Sequence, residues 1–129
     1  MLVDCVLDSP YYRLERLSLE GNKITDPICK ILCNVIEYSS SLRFLDLSRN
    51  DISPAGAKHI SSILVSNSSL LVLFIHWNPL LSQGGQYIAR AVSKNSTLQM
   101  LDMSFCSLGS SIDKSVVLTA RKQTIDQSN

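Results

Sequence analysis

At 129 residues the chain is one domain's worth of polypeptide, and its 45% hydrophobic content is enough for a buried core. A net charge of +1, with twelve Lys and Arg scattered along the chain, provides no basic stripe for nucleic acid. No apolar run approaches the roughly 20 residues of a membrane span, and the opening residues lack the basic region of a secretory signal.

Residues 1–13 carry Leu2, Val3, Val6 and Leu7 at helix-like offsets, ended by Asp8-Ser9-Pro10. They are expected to be the remnant of a preceding helix or an N-terminal cap. From Leu14 one word recurs every 28 residues, at Leu14, Leu42, Leu70 and Leu98. It reads Leu14-Glu-Arg-Leu17-Ser-Leu19-Glu-Gly-Asn22 in the first copy and Leu42-Arg-Phe-Leu45-Asp-Leu47-Ser-Arg-Asn50 in the second. A fixed period of this length predicts a stacked repeat architecture. The repeats fall at 14–41, 42–69, 70–97 and 98–122, followed by a flexible tail over 123–129.

Within each repeat the apolar period switches. Leu-x-x-Leu-x-Leu alternates as a half-buried strand does, and the second half has helical spacing. Leu32, Ile60, Ile88 and Val116 form one core column across the copies, and Ile36, Leu64, Val92 and Ala120 form another. The predicted helices are Pro27–Tyr38, Pro54–Ser66, Gln83–Lys94 and Ile112–Lys122. Asp26 and Ser53 are the expected N-caps of the first two, and Ser82 and Ser110 or Ser111 of the others.

Between strand and helix stands a column of Asn22, Asn50, Asn78 and Cys106. The chain turns inward there, and its backbone groups need partners inside the stack. An amide side chain both donates and accepts, so the column is expected to form a structural ladder; Cys106 can serve in part as a weak donor. Cys5, Cys29, Cys33 and Cys106 have neither zinc nor thioredoxin spacing and are read as small apolar fillers. The sequons at Asn67 and Asn95, also 28 apart, belong to the helix exit of each repeat.

These motifs resemble ribonuclease-inhibitor-type leucine-rich repeats: the Leu-x-x-Leu-x-Leu-x-x-Asn-x-Ile word, the Gly56-Ala57 pair and the Asn-Ser-Ser/Thr-Leu exits. The resemblance covers Leu14 to Lys122. It implies an α/β fold, a curved right-handed solenoid or horseshoe segment of about 3.5 repeats of 28 residues. Parallel strands would line its concave face and helices its convex face. Family members bind other proteins, usually through the concave face.

On that face the strand positions read Arg16-Phe44-Val72-Met100 and Ser18-Asp46-Phe74-Asp102. The following turns read Glu20-Ser48-His76-Ser104 and Gly21-Arg49-Trp77-Phe105. The candidate protein-binding residues are Arg16, Phe44, Asp46, Arg49, Val72, Phe74, His76, Trp77, Met100, Asp102 and Phe105. Aromatic clusters with flanking charge are how binding patches look. An aromatic beside the Asn column either packs onto its own turn or stands exposed as an anchor, and burial distinguishes the two.

No catalytic, metal or cofactor site is expected. His76 has no second ligand nearby in sequence, no Gly-x-Ser-x-Gly elbow is present, and Gly84-Gly85 aligns with Gly56-Ala57 as repeat grammar. The expected function is a non-enzymatic protein-interaction module or scaffold subunit of a larger complex. The expected partners are proteins, with no nucleic acid and no membrane, and the short array is expected to pack end-on against another chain. The expected setting is cytoplasmic, with cytoskeleton or ciliary axoneme as its narrower form. The alternatives are a regulator of an enzyme (small-GTPase activator or nuclease inhibitor) and the repeat fragment of a NOD-like immune sensor.

Overall fold

The computed structural model describes residues 13–109 and the backbone of 117–118. The expected cap or remnant helix over 1–13 therefore lies, Arg13 apart, outside the described residues, as does the tail over 123–129.

Strands and helices alternate: β1 (Arg16–Ser18), α1 (Asp26–Ile36), β2 (Phe44–Asp46), α2 (Pro54–Ser66), β3 (Val72–Phe74), α3 (Leu81–Lys94), β4 (Met100–Asp102) and β5 (Val117–Leu118). They form one sheet in the order β1-β2-β3-β4-β5. The first four strands are parallel, each shifted by one repeat, so that Leu17, Leu45, Leu73 and Leu101 lie side by side. This column faces the helices, and alternation sends its neighbours to the opposite, open face. The leucines and isoleucines flanking the strands join Leu32, Ile36, Ile60, Ile63, Leu64 and Ile88 of the helices in one core. In the first repeat Leu14, Leu17 and Leu19 are only partly buried.

Two elements differ from the sequence reading. Within the stretch expected to form the helix Ile112–Lys122, Val117 and Leu118 form a strand antiparallel to β4. Valine is β-branched and favours a pleated surface, and β5 covers the polar edge that β4 presents.

The helix starts also differ. Thr25, not Asp26, holds the cap position of α1. Asp26 instead reaches the next repeat, where its Oδ1 accepts from the backbone amides of Ser53 (2.8 Å) and Gly56 (3.1 Å). Its Oδ2 accepts from the Ser53 hydroxyl. One carboxylate thus caps α2 from outside, and Ser53 makes no side-chain cap of its own. α3 starts at Leu81, ahead of the expected Ser82 cap, and Leu81 has φ +60°.

Candidate functional site

The turn after each strand fixes where side chains point. Gly21, Arg49 and Trp77 donate their amides to the carbonyls of Ser48 (3.1 Å), His76 (2.9 Å) and Ser104 (3.1 Å) in the next repeat. The backbone there is left-handed, with φ +68° at Gly21 and +56° at Arg49, Trp77 and Phe105. Glycine adopts this at no steric cost, whereas other residues lose about 1–2 kcal/mol. Arginine, tryptophan and phenylalanine therefore occupy a position where glycine would relax the chain.

Inside the turn lies the asparagine column. Asn50 Oδ1 accepts from the amides of Asn22 and Ile24, both at 2.9 Å, and its Nδ2 donates to Leu19 (3.1 Å) and Leu47 (2.9 Å) carbonyls. Asn78 repeats the scheme: Oδ1 accepts from Ile52 N (3.0 Å), and Nδ2 donates to Leu47 and Ile75 carbonyls at 3.0 Å. Cys106 Sγ donates to Ile75 (3.2 Å), and burial pushes its thiol up to about 11. Asn22 is exposed, and among the described residues its side chain donates only to the Glu20 carbonyl two residues away. The rungs run from side chain to the backbone of the preceding repeat, never from one asparagine side chain to another among the described residues.

Two rows of side chains cross the open face. On the strands, the Arg16 guanidinium lies 4.1 Å above the Phe44 ring. Phe44 meets Phe74 edge to face at 5.3 Å, and Phe74 lies 6.2 Å from His76. Arg16 is exposed, whereas Phe44, Val72, Phe74, His76 and Met100 are half-buried. The second row runs along the turns. Glu20 pairs with Arg49 at 3.6 Å, Arg49 stands 5.5 Å over Trp77, and Trp77 stacks on Phe105 at 4.7 Å with planes 11° apart. Trp77 is 48% exposed and Phe105 59%, so they pack on each other and face water.

The expected acids behave differently. Asp46 does not join the surface: it is buried, and its Oδ1 accepts from the Ser48 amide at 2.9 Å. Asp102 is half-buried and takes the Ser104 amide (2.9 Å) and hydroxyl. A short carboxylate two residues ahead of an amide closes an Asx turn, and that is the work of both. Glu20, absent from the candidate residues, belongs to the exposed row. The sequence signal was Gly21 at the head of the Arg49 column, marking a left-handed position whose neighbour Glu20 faces Arg49.

Among the described residues no three His, Cys, Asp or Glu side chains gather to hold a metal ion. Cys29 and Cys33 lie 3.9 Å apart inside α1, and their contact together with burial drives the Cys33 thiol far upward. The sequon asparagines are structural and buried. Asn67 Oδ1 accepts from Ser69 (2.9 Å) and Leu70 (2.8 Å) amides, and Asn95 Oδ1 accepts from Thr97 (2.8 Å) and Leu98 (2.6 Å).

A family model described as Leucine Rich repeat matches residues 38–61 and 94–112, and a second of the same description matches residues 13–35. Among solved structures the chain is similar to Leiomodin-1 Actin-Binding Site 2, with a TM-score of 0.69 at 21% identity. That likeness covers 77% of this chain and 57% of the other. The chain is also similar to the tropomodulin C-terminal domain of Caenorhabditis elegans, with a TM-score of 0.73 at 15% identity, covering 83% of this chain and 66% of that one. It thus spans less than two thirds of either structure. A comparison with curated protein sequences finds no match. At such identities the likeness is one of fold.

Proposed function

We propose, of a chain that carries leucine-rich repeats, that it is a non-catalytic protein-interaction module working in a cytoskeletal setting through the open face of its sheet. Leucine-rich-repeat domains are interaction modules, and this one offers a stack ready for a partner. The observation that carries the reading is the exposed Arg49–Trp77–Phe105 row, held on strained backbone. Strain of this kind concentrates at binding sites, and Trp and Arg are the residues that dominate interface energies.

The working surface comprises Arg16, Phe44, Phe74, His76 and Met100 on the strands, with Glu20, Arg49, Trp77 and Phe105 along the turns. Val72, between Phe44 and Met100, and Asp102, beside Phe74, belong to it as well, and Asp46 is left out. The repeats are of the ribonuclease-inhibitor-like type. The leiomodin fragment that this chain resembles in fold is an actin-binding site, which makes actin the first partner to test.

Co-sedimentation with filamentous actin tests both levels of the reading. Wild-type chain in the pellet, with Trp77→Gly left in the supernatant, supports an actin partner on this face. Equal pelleting of both moves the interface elsewhere. If neither pellets, affinity capture from extract with the same pair of proteins asks for another cytoskeletal partner, and capture that ignores the substitution sinks the open-face assignment.

End-on packing is a second reading, favoured by one observation. Ile28 (48% exposed) and Ile31 (53%) stand on α1, the first helix of the described layer. Concentration-dependent self-association abolished by Ile31→Glu is the outcome it requires.

A further inference from the structure

The helix-covered side of the molecule carries a second feature that the open-face reading does not use. α2 and α3 lie side by side, drawn together where Gly84 leaves only 3.2 Å between a Cβ built on it and that of Ala57. Between their outer stripes runs a groove of about 220 Å³. Its rim carries three exposed cations, Lys58 from α2 and Arg90 and Lys94 from α3. Its floor is apolar, with Val65 (54% exposed) and Ala91.

No carboxylate lines the groove, and neither helix contains an Asp or Glu. This is a local excess in a chain whose net charge is only +1. One hydroxyl there, that of Tyr87, matches the cations in sign. Tyr87 accepts from Gln83 Nε2 at 3.0 Å, which leaves its own proton free to donate. Ser61 and Ser62 donate back to the helix, to the Ala57 and Lys58 carbonyls. Arg90 and Lys94 stand four residues apart, about 6 Å along the axis, the spacing of two side chains on one face of another helix.

We infer that the α2–α3 groove docks an acidic amphipathic helix of a partner protein. Glutamates one turn apart would meet Arg90 and Lys94 while a small apolar side chain rests on Val65 and Ala91. Charge complementarity selects the occupant: an apolar helix leaves three cations facing it, and a basic one is repelled.

The test uses the full chain and a fluorescein-labelled amphipathic peptide with glutamates at i, i+4, read by fluorescence anisotropy. Wild type should bind saturably, and more weakly as salt rises. The charge reversal K58E/R90E/K94E should weaken binding roughly tenfold or more, and the same variant should gain affinity for the matching lysine peptide. Lys30→Glu, on α1, should change little, and unfolding curves should show every variant folded. Trp77→Gly should bind the peptide as wild type does, which separates this groove from the open face. Absence of saturable binding to wild type overturns the inference, as does equal binding by the reversed variant. Capture by phosphatidylserine vesicles that the peptide cannot compete away overturns it in favour of a membrane.

Discussion

Trp77 and Phe105 lie face to face across one repeat, 4.7 Å between ring centroids, although each sits at φ +56°. Two opposing effects meet at Trp77. The stack contributes about 0.5–1.5 kcal/mol beyond its buried area, and the left-handed backbone costs about 1–2 kcal/mol. Trp77→Gly loses the stack and the burial of about half the indole and recovers the backbone cost, so it should be less stable than wild type by up to about 2 kcal/mol. Trp77→Ala loses the stack with less relief and should be less stable than the glycine variant by roughly 1 kcal/mol. Urea denaturation of the pair checks the order. An alanine variant at least as stable as the glycine one would mean that the turn stores no strain.

Asp26 and Gly56 depend on each other across the α1–α2 boundary. A Cβ on Gly56 would fall 2.5 Å from Asp26 Oδ1 and 2.6 Å from Ile52 Cγ2. Gly56→Ala should therefore destabilise by about 1–3 kcal/mol through overpacking. Asp26→Ala removes the external cap and should cost about 0.5–2 kcal/mol. The double variant should be more stable than the sum of the two predicts, by more than about 0.5 kcal/mol, because the first clash disappears with the carboxylate. Strict additivity in a double-mutant cycle would show that the loop moves aside instead.

The repeat and its core were legible because burial between neighbours imposes one pattern on every copy. The Leu17–Leu45–Leu73–Leu101 column and the register of four strands follow from the 28-residue period alone. Less legible was whatever depends on contacts between copies. Asp26 reads as a cap for its own helix, but its acceptor atoms lie nearer the next one. Asp46 and Phe74 share a column, and only the turn chemistry of the short carboxylate draws Asp46 inward. Val117 stands in a helical register by alignment, while the open edge of β4 offers it backbone partners that a helix would forgo. The groove cations were invisible, since nothing in a one-dimensional pattern brings Lys58 beside Arg90.

The buried thiols give a pH prediction. Burial raises Cys106 from the ordinary 9.0 to about 11, so the fold favours the neutral thiol. That stabilisation is complete below about pH 9 and is lost as pH climbs through about 11. In a Cys5→Ser chain, iodoacetamide should label native Cys106 only as pH approaches 11, and should label it near pH 9 once urea unfolds the protein. Cys33, raised further by its contact with Cys29 and by burial, should stay unlabelled in the native state throughout. Rapid native labelling at pH 8 would show the interior opening locally.

Asn50 and Asn22 occupy the same place in successive repeats, yet only Asn50 is buried, and its amide serves the backbone of the preceding copy. Asn50→Ala withdraws an acceptor from the amides of Asn22 and Ile24 and a donor from the Leu19 and Leu47 carbonyls. A buried donor left unpaired costs about 1–3 kcal/mol, so the substitution should remove roughly 2–4 kcal/mol in all. That is a large share of the 5–15 kcal/mol typical of a domain. Asn22→Ala loses one exposed bond to Glu20 and should cost less than about 0.5 kcal/mol. Comparable losses in the two variants would mean that the column stabilises each turn locally and does not join one repeat to the next. The expected asymmetry makes the ladder directional: each asparagine holds the repeat before it, and the position is most sensitive where a preceding copy presents amides to be satisfied.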